Sequence, residues 1–139
     1  MTEPNGVLHL RVALTTSEYT SLVEFFGGGL GMDPTESWMH EGGHGSLFEM
    51  GGGSLEIFDE SYARHIDDIE VGRHVSGSLR LALRVPDVRA AVGRLLERGG
   101  TLVHPPVLTP WGDLNARVES PNGLQVTLYE VVGDNGSHD

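Results

Sequence analysis

The sequence repeats one pattern, a strand followed by a helix and several short strands, and this duplication constrains the fold more than any other feature. Apolar and polar residues alternate from Leu8 to Thr15, which predicts a half-buried strand. From Tyr19 to Phe26 apolar residues recur every three or four positions, which predicts an amphipathic helix. Gly27-Gly28-Gly29 is expected to end that helix. Shorter strands, separated by glycine-rich turns, are predicted at residues 38–39, 46–50 and 54–58.

The second copy follows the same order. Alternation from Leu79 to Val85 predicts a strand, Pro86-Asp87 is expected to open a helix, and Gly99-Gly100 is expected to close it. Pro121-Asn122-Gly123 is a strong turn signal between the last two strands. The three strands after the helix are predicted at residues 101–104, 114–119 and 124–130.

Aligning the two copies gives the domain organisation. Arg11 corresponds to Arg80, and Glu56 corresponds to Thr127. We therefore predict an α+β fold made of two βαβββ modules within a single domain, residues 1–139. The modules are predicted at residues 7–60 and 79–132, the linker at 61–78 as a loop in which a helical turn is left open, and a disordered tail at 133–139.

Composition excludes several classes of function. The chain has no Cys, which excludes a disulfide framework, a thiolate metal site and a Cys nucleophile. A formal net charge of −11 argues against binding nucleic acid, which requires clusters of Lys and Arg. No apolar run approaches the ~18 residues of a membrane helix, and Met1 to Gly6 show no signal peptide. We expect a cytoplasmic protein with neither a nucleic-acid nor a membrane partner.

Three local signatures carry a resemblance to a known family. One is the segment from Leu14 to Phe26 followed by Gly31-Met32, and another is Leu83-Arg84-Val85-Pro86-Asp87. The most specific is Pro110-Trp111-Gly112 followed by Ser120-Pro121-Asn122-Gly123. Together, in this order, they resemble the vicinal-oxygen-chelate superfamily, which includes glyoxalase I, bleomycin-resistance proteins and extradiol dioxygenases. The resemblance implies two βαβββ modules whose curled mixed sheets surround one cleft.

The resemblance also implies where a metal ion would bind, on the first and last strand of each module. Those positions hold Arg11, Glu56, Arg80 and Thr127, of which only Glu56 is a good ligand. Arginine stays protonated and has no acceptor atom. A shift in strand register would present His9, but His9 and Glu56 are only two ligands. We therefore expect no metal site and no cofactor.

Strand alternation predicts which side chains line the cleft. Buried charges must be paired, so we expect a bridge of Glu56 with either Arg11 or Arg80, leaving the other guanidinium for a ligand or for solvent. The candidate catalytic residues are Glu56 and Arg80. Trp38 and Trp111 are candidates for a stacking wall, with core packing as the alternative. The candidate ligand-binding residues are His9, Arg11, Trp38, Phe58, Arg84, Trp111, Thr127 and Tyr129.

One motif is interpreted as structural. His40-Glu41-Gly42-Gly43-His44 matches the zinc-protease pattern, which requires both His residues on one face of a helix. Two consecutive glycines make a helix costly there, and the flanking residues are strand-like. We predict a hairpin turn.

Three hypotheses for function follow. The first is a metal-independent protein of the glyoxalase and bleomycin-resistance type that binds a small organic ligand and sequesters an antibiotic or a metabolite. The second is a cofactor-free isomerase, lyase or cyclase, in which Glu56 is the base and Arg11 or Arg80 stabilises an oxyanion. The third is a metal-dependent lyase or dioxygenase, which requires a different strand register. We expect a homodimer, since the sheets have edges to protect.

Overall fold

The strands that begin the two repeats pair with each other at the centre of one sheet. The computed structural model describes residues 6–133. The elements along the chain are β1 (His9–Thr16), α1 (Tyr19–Leu30), β2 (Glu36–His40), β3 (Gly43–Glu49), β4 (Ser54–Asp59), α2 (Glu60–Glu70), β5 (Leu79–Arg84), α3 (Val88–Leu96), β6 (Thr101–Leu108), β7 (Asp113–Glu119) and β8 (Gln125–Val131).

The eight strands lie in the order β2-β3-β4-β1-β5-β8-β7-β6. β1 and β5 are antiparallel, whereas β1 is parallel to β4 and β5 is parallel to β8. The outer strands of each half are antiparallel to their neighbours. Each half therefore has the same strand order outward from the centre, and the predicted α+β fold with a duplicated unit is confirmed.

The helices α1 and α3 cover one face of the sheet. Because side chains alternate along a strand, Val12 and Leu14 of β1 pack against α1 while Arg11 and Ala13 point to the opposite face. Val88, the first residue of α3, is fully buried in the equivalent cluster of the second half. Apolar burial on this face thus positions the two repeats, and it leaves the other face for different chemistry.

The helix α1 does not end at Gly27-Gly28-Gly29 as predicted. It continues to Leu30, and the left-handed residue that ends it is Gly31, with φ 72°. Gly27 is buried, and a Cβ atom there would lie 3.0 Å from the carbonyl oxygen of Met32 and 3.2 Å from Cε1 of Phe48. This glycine therefore permits close packing of the helix on the sheet instead of terminating it.

The predicted loop at 61–78 is instead mostly helical, because α2 spans Glu60–Glu70. The helix begins where the Asp59 carboxylate accepts a hydrogen bond from the Tyr62 backbone N–H at 2.8 Å. Its buried side chains are spaced as one face of a helix, but two of the four are charged, so hydrophobic periodicity does not reveal them. These four residues are Ala63, Ile66, Asp67 and Glu70. They dock on the sheet face opposite to α1 and α3.

Apart from Gly133, the tail predicted to be disordered lies outside the described residues. Within residues 6–133 no helix is both long enough and apolar enough to cross a bilayer.

The docking of α2 can be tested through Ile66, whose exposed fraction is 2%. We expect Ile66→Ala to lower the free energy of unfolding by roughly 2–4 kcal/mol, because it leaves a cavity under the helix. Ile69→Ala, on the half-exposed side of the same helix, is the matched control and is expected to cost less than about half as much. Urea denaturation measures both, and equal losses would contradict the docking.

Candidate functional site

The sheet face beneath α2 carries buried polar side chains near its centre, and we call it the polar face. Arg11, Glu56, Arg80 and Thr127 reach it from the four central strands β1, β4, β5 and β8, and each is at most 4% exposed. Strand register places them near one another, because Ala13 of β1 pairs with both Glu56 and Arg80. Four of the residues proposed from the sequence are therefore brought together.

The carboxylate of Glu56 is paired with Arg11. Nη1 of Arg11 lies 3.2 Å from Oε2 of Glu56, and both side chains are almost fully buried. The same guanidinium lies over the ring of Tyr129, with Cζ 5.9 Å from the ring centroid, which is a cation–π contact. The predicted Arg11–Glu56 bridge is present in the structure, and the ring of Tyr129 adds a second compensation for the buried charge of Arg11.

Arg80 is bound to Thr127 on the neighbouring strand. Its Nη1 donates a hydrogen bond to Oγ1 of Thr127 at 2.7 Å. Both Arg11 and Arg80 are buried, so neither reaches solvent at a strand end. Arg80 as a ligand contact stays a prediction, and its Nη1 is already bound to a hydroxyl within the sheet.

Sequence reasoning missed one charged residue of the polar face, Arg117. This side chain is fully buried on β7, with Nη1 3.2 Å from Oδ1 of Asp67 and Nη2 2.6 Å from Oε1 of Glu70. Asn115, two residues earlier on the same strand, donates from Nδ2 to Oε2 of Glu70 at 2.9 Å. Thr127 also donates to Oε1 of Glu70, at 3.5 Å. The last turn of α2 is thus bound to the sheet by charge.

The sequence does contain a signal for the polar residues of β7. Asp113, Asn115 and Arg117 alternate with apolar residues on a strand that lies inside the sheet, which indicates a polar face. Their partners Asp67 and Glu70 are three residues apart, a spacing that places both on one side of a helix. The signal that links the two segments is absent from the sequence, because α2 precedes β7 by more than forty residues.

Asp67 has further partners besides Arg117. It accepts hydrogen bonds from the backbone N–H groups of Val75 and Ser76 and from the Ser76 hydroxyl, at 2.6–2.8 Å, and Nδ1 of His74 lies 3.1 Å from Oδ2. Burial by itself raises the pKa of this carboxyl. The hydrogen bonds from Ser76 and Val75 and the charge of Arg117 outweigh burial, and the net pKa lies below its ordinary value.

The aromatic residues predicted to form one wall lie apart. Trp38 on the edge strand β2 and Phe58 on β4 have ring centroids 6.2 Å apart. Tyr62 of α2 stacks on both, with centroids 6.2 Å and 5.4 Å away. Trp111 lies in the turn before β7, near the other edge of the sheet, and its indole N–H is buried with no hydrogen-bond partner among residues 6–133. Trp38 and Phe58 therefore hold α2 in place.

His9 and Arg84 lie opposite each other where β1 begins and β5 ends. Nε2 of His9 is 2.9 Å from the hydroxyl of Ser54, which in turn donates to Oε1 of Glu49 at 2.8 Å. Arg84 is exposed. These two proposed ligand-binding residues lie at the rim of the polar face, away from the Arg117 contacts.

The motif His40-Glu41-Gly42-Gly43-His44 forms a hairpin between β2 and β3, as predicted. Glu41 and Gly42 make the turn, with φ of 48° and 86°. The ring of His40 stacks on His65 of α2 with centroids 3.7 Å apart, and burial together with the neighbouring His40 lowers the pKa of His65. Among the described residues no group of three or more His, Asp or Glu side chains is placed to hold a metal ion.

Comparison with known proteins identifies the family. Residues 7–128 match the model of the glyoxalase/bleomycin resistance protein/dioxygenase superfamily. The chain belongs to this superfamily. No curated protein matches the sequence at a significant level.

Solved structures with a similar fold support the architecture. Methylmalonyl-CoA epimerase from Mycobacterium tuberculosis is 20% identical with a TM-score of 0.64, and the match covers 96% of this chain and 94% of that protein. A superfamily member from Vibrio splendidus 12B01 is 11% identical with a TM-score of 0.65, covering 88% and 97%. A hypothetical protein from Bacillus halodurans C-125 is 14% identical with a TM-score of 0.65, covering 99% and 100%. At these identities the likeness concerns the fold alone.

The donor set of this chain does not fit the metal ion that the superfamily implies. The four strand positions hold two guanidinium groups, one hydroxyl and one carboxylate, and the carboxylate of Glu56 is bound by Arg11. Guanidinium groups cannot coordinate a cation and they repel one. A divalent ion requires three or four donor atoms in place of this arrangement.

The lowered pKa of Asp67 predicts a dependence of stability on pH. Because its folded pKa lies below the ordinary value of about 3.8, Asp67 stabilises the protein fully above that pH. This contribution is lost as the pH falls through the folded pKa. We expect Asp67→Asn to lower the free energy of unfolding at neutral pH by about 1–3 kcal/mol and to flatten its decline below about pH 4.

Denaturation curves between neutral and acidic pH measure this effect. Asp68→Asn, at the exposed neighbouring position on the same helix, is the matched control and should retain the wild-type pH profile. An unchanged acid slope in Asp67→Asn would show that Asp67 is not stabilised in its ionised form.

Proposed function

We propose that the protein binds a small organic ligand at the polar face without a metal ion, and sequesters an antibiotic or a metabolite there. The observation that carries the proposal is the 3.2 Å contact between Arg11 and Glu56. It places a guanidinium on the carboxylate that a superfamily metal ion would need. The polar face is thereby suited to recognising a ligand by hydrogen bonds and charge instead of by coordination.

The chemistry of the face supports binding of a polar ligand with an apolar part. Arg11, Glu56, Arg80 and Thr127 provide fixed donors and acceptors in a buried setting, where such groups orient a ligand strongly. The neighbouring side chains of Trp38, Phe58 and Tyr129 provide apolar contact. Because α2 covers this face, we propose that ligand entry displaces the helix. His9, Arg84 and Trp111 stay predictions as ligand contacts at the rim.

Binding is tested by thermal shift with a panel of cationic and aromatic antibiotics, small carboxylates and coenzyme A thioesters. We expect at least one compound to raise the melting temperature. Arg80→Met should then weaken its affinity by roughly 10-fold to 100-fold, because a hydrogen bond to a charged group is lost. Arg89→Met, at an exposed position on α3, is the matched control. The proposal fails if no compound changes the melting temperature.

Metal independence is tested by elemental analysis of untagged protein after dialysis against zinc, manganese, nickel and ferrous ions. We expect much less than one ion per chain, because the four strand positions supply a single carboxylate and two cations. Glu56→Gln is the diagnostic variant. One tightly bound ion per chain in the wild type, absent from Glu56→Gln, would contradict metal-independent binding and favour a metal enzyme.

A second candidate function is a metal-free enzyme. It is favoured by the juxtaposition of one carboxylate, Glu56, with the guanidinium of Arg11 on a face that also holds Arg80. A base beside oxyanion-binding groups suits proton abstraction next to a carbonyl. Methylmalonyl-CoA in D₂O, followed by NMR, is a suitable probe because fold neighbours include methylmalonyl-CoA epimerases. Catalysed deuterium uptake that Glu56→Gln abolishes would support the enzyme, and no uptake counts against it for this substrate.

We also propose a homodimer. Several large apolar side chains are exposed outside the polar face, among them Phe25, Leu30 and Met50, and the edge strands β2 and β6 have unpaired sides. Light scattering coupled to size-exclusion chromatography measures the mass in solution, and a value of one chain would contradict the dimer.

A further inference from the structure

The sheet holds the carboxylate of Glu70 between three side chains, which we call the cradle: Arg117, Asn115 and Thr127. Nη2 of Arg117 donates to Oε1 at 2.6 Å, Nδ2 of Asn115 donates to Oε2 at 2.9 Å, and Oγ1 of Thr127 donates to Oε1 at 3.5 Å. Arg80 supports the cradle, because it donates to Thr127 at 2.7 Å. A guanidinium, an amide and a hydroxyl converging on one carboxylate form a chemically complete recognition site for that group.

The internal repeat shows that this carboxylate comes from outside the sheet. In the first half, Arg11 is met by Glu56, which belongs to the neighbouring strand β4. At the equivalent place in the second half, Arg80 is met by Thr127, which is uncharged. The second half of the sheet therefore does not supply its carboxylate from the corresponding strand, and α2 supplies one through Glu70.

Other polar atoms of the same region remain unused by Glu70. Oδ1 of Asn115, Nε of Arg117 and Oε1 of Gln125 are buried and have no hydrogen-bond partner among the described residues. Buried polar atoms in native proteins nearly always have partners. Two of these atoms belong to cradle residues and the third to Gln125, two residues from Thr127 on the same strand, and together they offer one donor and two acceptors beyond those that bind Glu70.

We propose that the cradle binds the carboxylate of a small ligand that carries a hydroxyl or amino group on the neighbouring carbon, and that this carboxylate takes the place of Glu70. The inference rests on the proposed function and names the ligand class for the polar face. The ligand carboxylate accepts hydrogen bonds from Arg117, Asn115 and Thr127, while the adjacent hydroxyl or amino group donates to Oδ1 of Asn115.

Displacement of Glu70 couples binding to α2. The last turn of the helix is held on the cradle by Glu70 and, through Arg117, by Asp67. A ligand that occupies the cradle replaces the contacts of Glu70 and so weakens the attachment of the last turn of α2 to the sheet. Since Glu70 competes for the same donors, the apparent affinity of the wild type is reduced by the fraction of molecules in which the cradle is open.

The test compares two probes, sodium lactate and sodium propanoate, which differ by one hydroxyl, with sodium chloride at the same ionic strength as control. NMR titration of the Thr127 and Asn115 signals measures affinity at the polar face. Hydrogen exchange of residues 60–76 measures the loosening of α2. Glu70→Ala removes the competing carboxylate, and Glu60→Ala, at an exposed position in the first turn of α2, is the matched control.

We expect lactate to bind Glu70→Ala at least about tenfold more tightly than the wild type, with Glu60→Ala unchanged. In the wild type, lactate should speed hydrogen exchange in α2, whereas chloride should not. Propanoate should bind more weakly than lactate, because it lacks the donor for Asn115. If Glu70→Ala does not fold, the exchange measurement on the wild type decides the question by itself.

The possible negative results separate failure of the Glu70 displacement, failure of the ligand class and failure of the proposed function. If lactate perturbs Thr127 with equal affinity in the wild type and Glu70→Ala, and α2 exchange does not increase, the displacement is wrong while the proposed function stands. Equal affinity for lactate and propanoate overturns the hydroxyl part of the ligand class. If carboxylates leave the polar face unchanged but another compound binds there, the ligand class is wrong. If no compound of any class perturbs the polar face, the proposed function itself fails.

Discussion

The guanidinium of Arg117 has no contact with water, and this buried charge determines how the rest of the polar face is arranged. A charge removed from solvent requires a compensating charge and hydrogen bonds close by. Asn115 of its own strand and Thr127 of the neighbouring β8 donate to Glu70, and the two carboxylates that pair with Arg117 come from the segment that joins the repeats. The position of the last turn of α2 on the polar face follows from the pairing of this side chain with Asp67 and Glu70.

The fold was largely predictable, because the apolar residues that pack α1 and α3 against the sheet recur with the spacing of a helix or a strand. Alternation from Leu8 to Thr15 locates β1 to within one residue. The same reasoning fails for α2, since half of its buried face is charged. It also fails at Gly27, where glycine is required by the approach of Phe48 and not by helix termination. Both causes, the charged partners of α2 and the approach of Phe48 to Gly27, come from segments distant in the sequence.

The candidate site was predictable to the extent that it depends on alternation. Arg11 and Glu56 were expected on one face of the sheet because side chains alternate along a strand, and the apolar positions of each strand were assigned to the other face. The contact of Glu56 with Arg11 depends on distances between side chains of adjacent strands, which the sequence does not contain. The contacts of Arg117 were missed entirely, because they join two segments with no local pattern in common. The superfamily assignment fixes the fold and not the activity: the strand positions of the shared fold are present, and two of the four hold guanidinium groups.

The way α2 contacts both halves of the sheet has a consequence for the order of folding. Its aromatic contacts are to β2 and β4, which precede it, whereas Arg117 follows Asp67 by 50 residues. Contacts that close long loops form late because of their entropic cost. During synthesis the first half emerges with its helix before the strand that anchors the last turn exists. The last turn of α2 therefore gains its charged contacts only after β7 has joined the sheet, so the helix is fully docked only once the two halves have assembled.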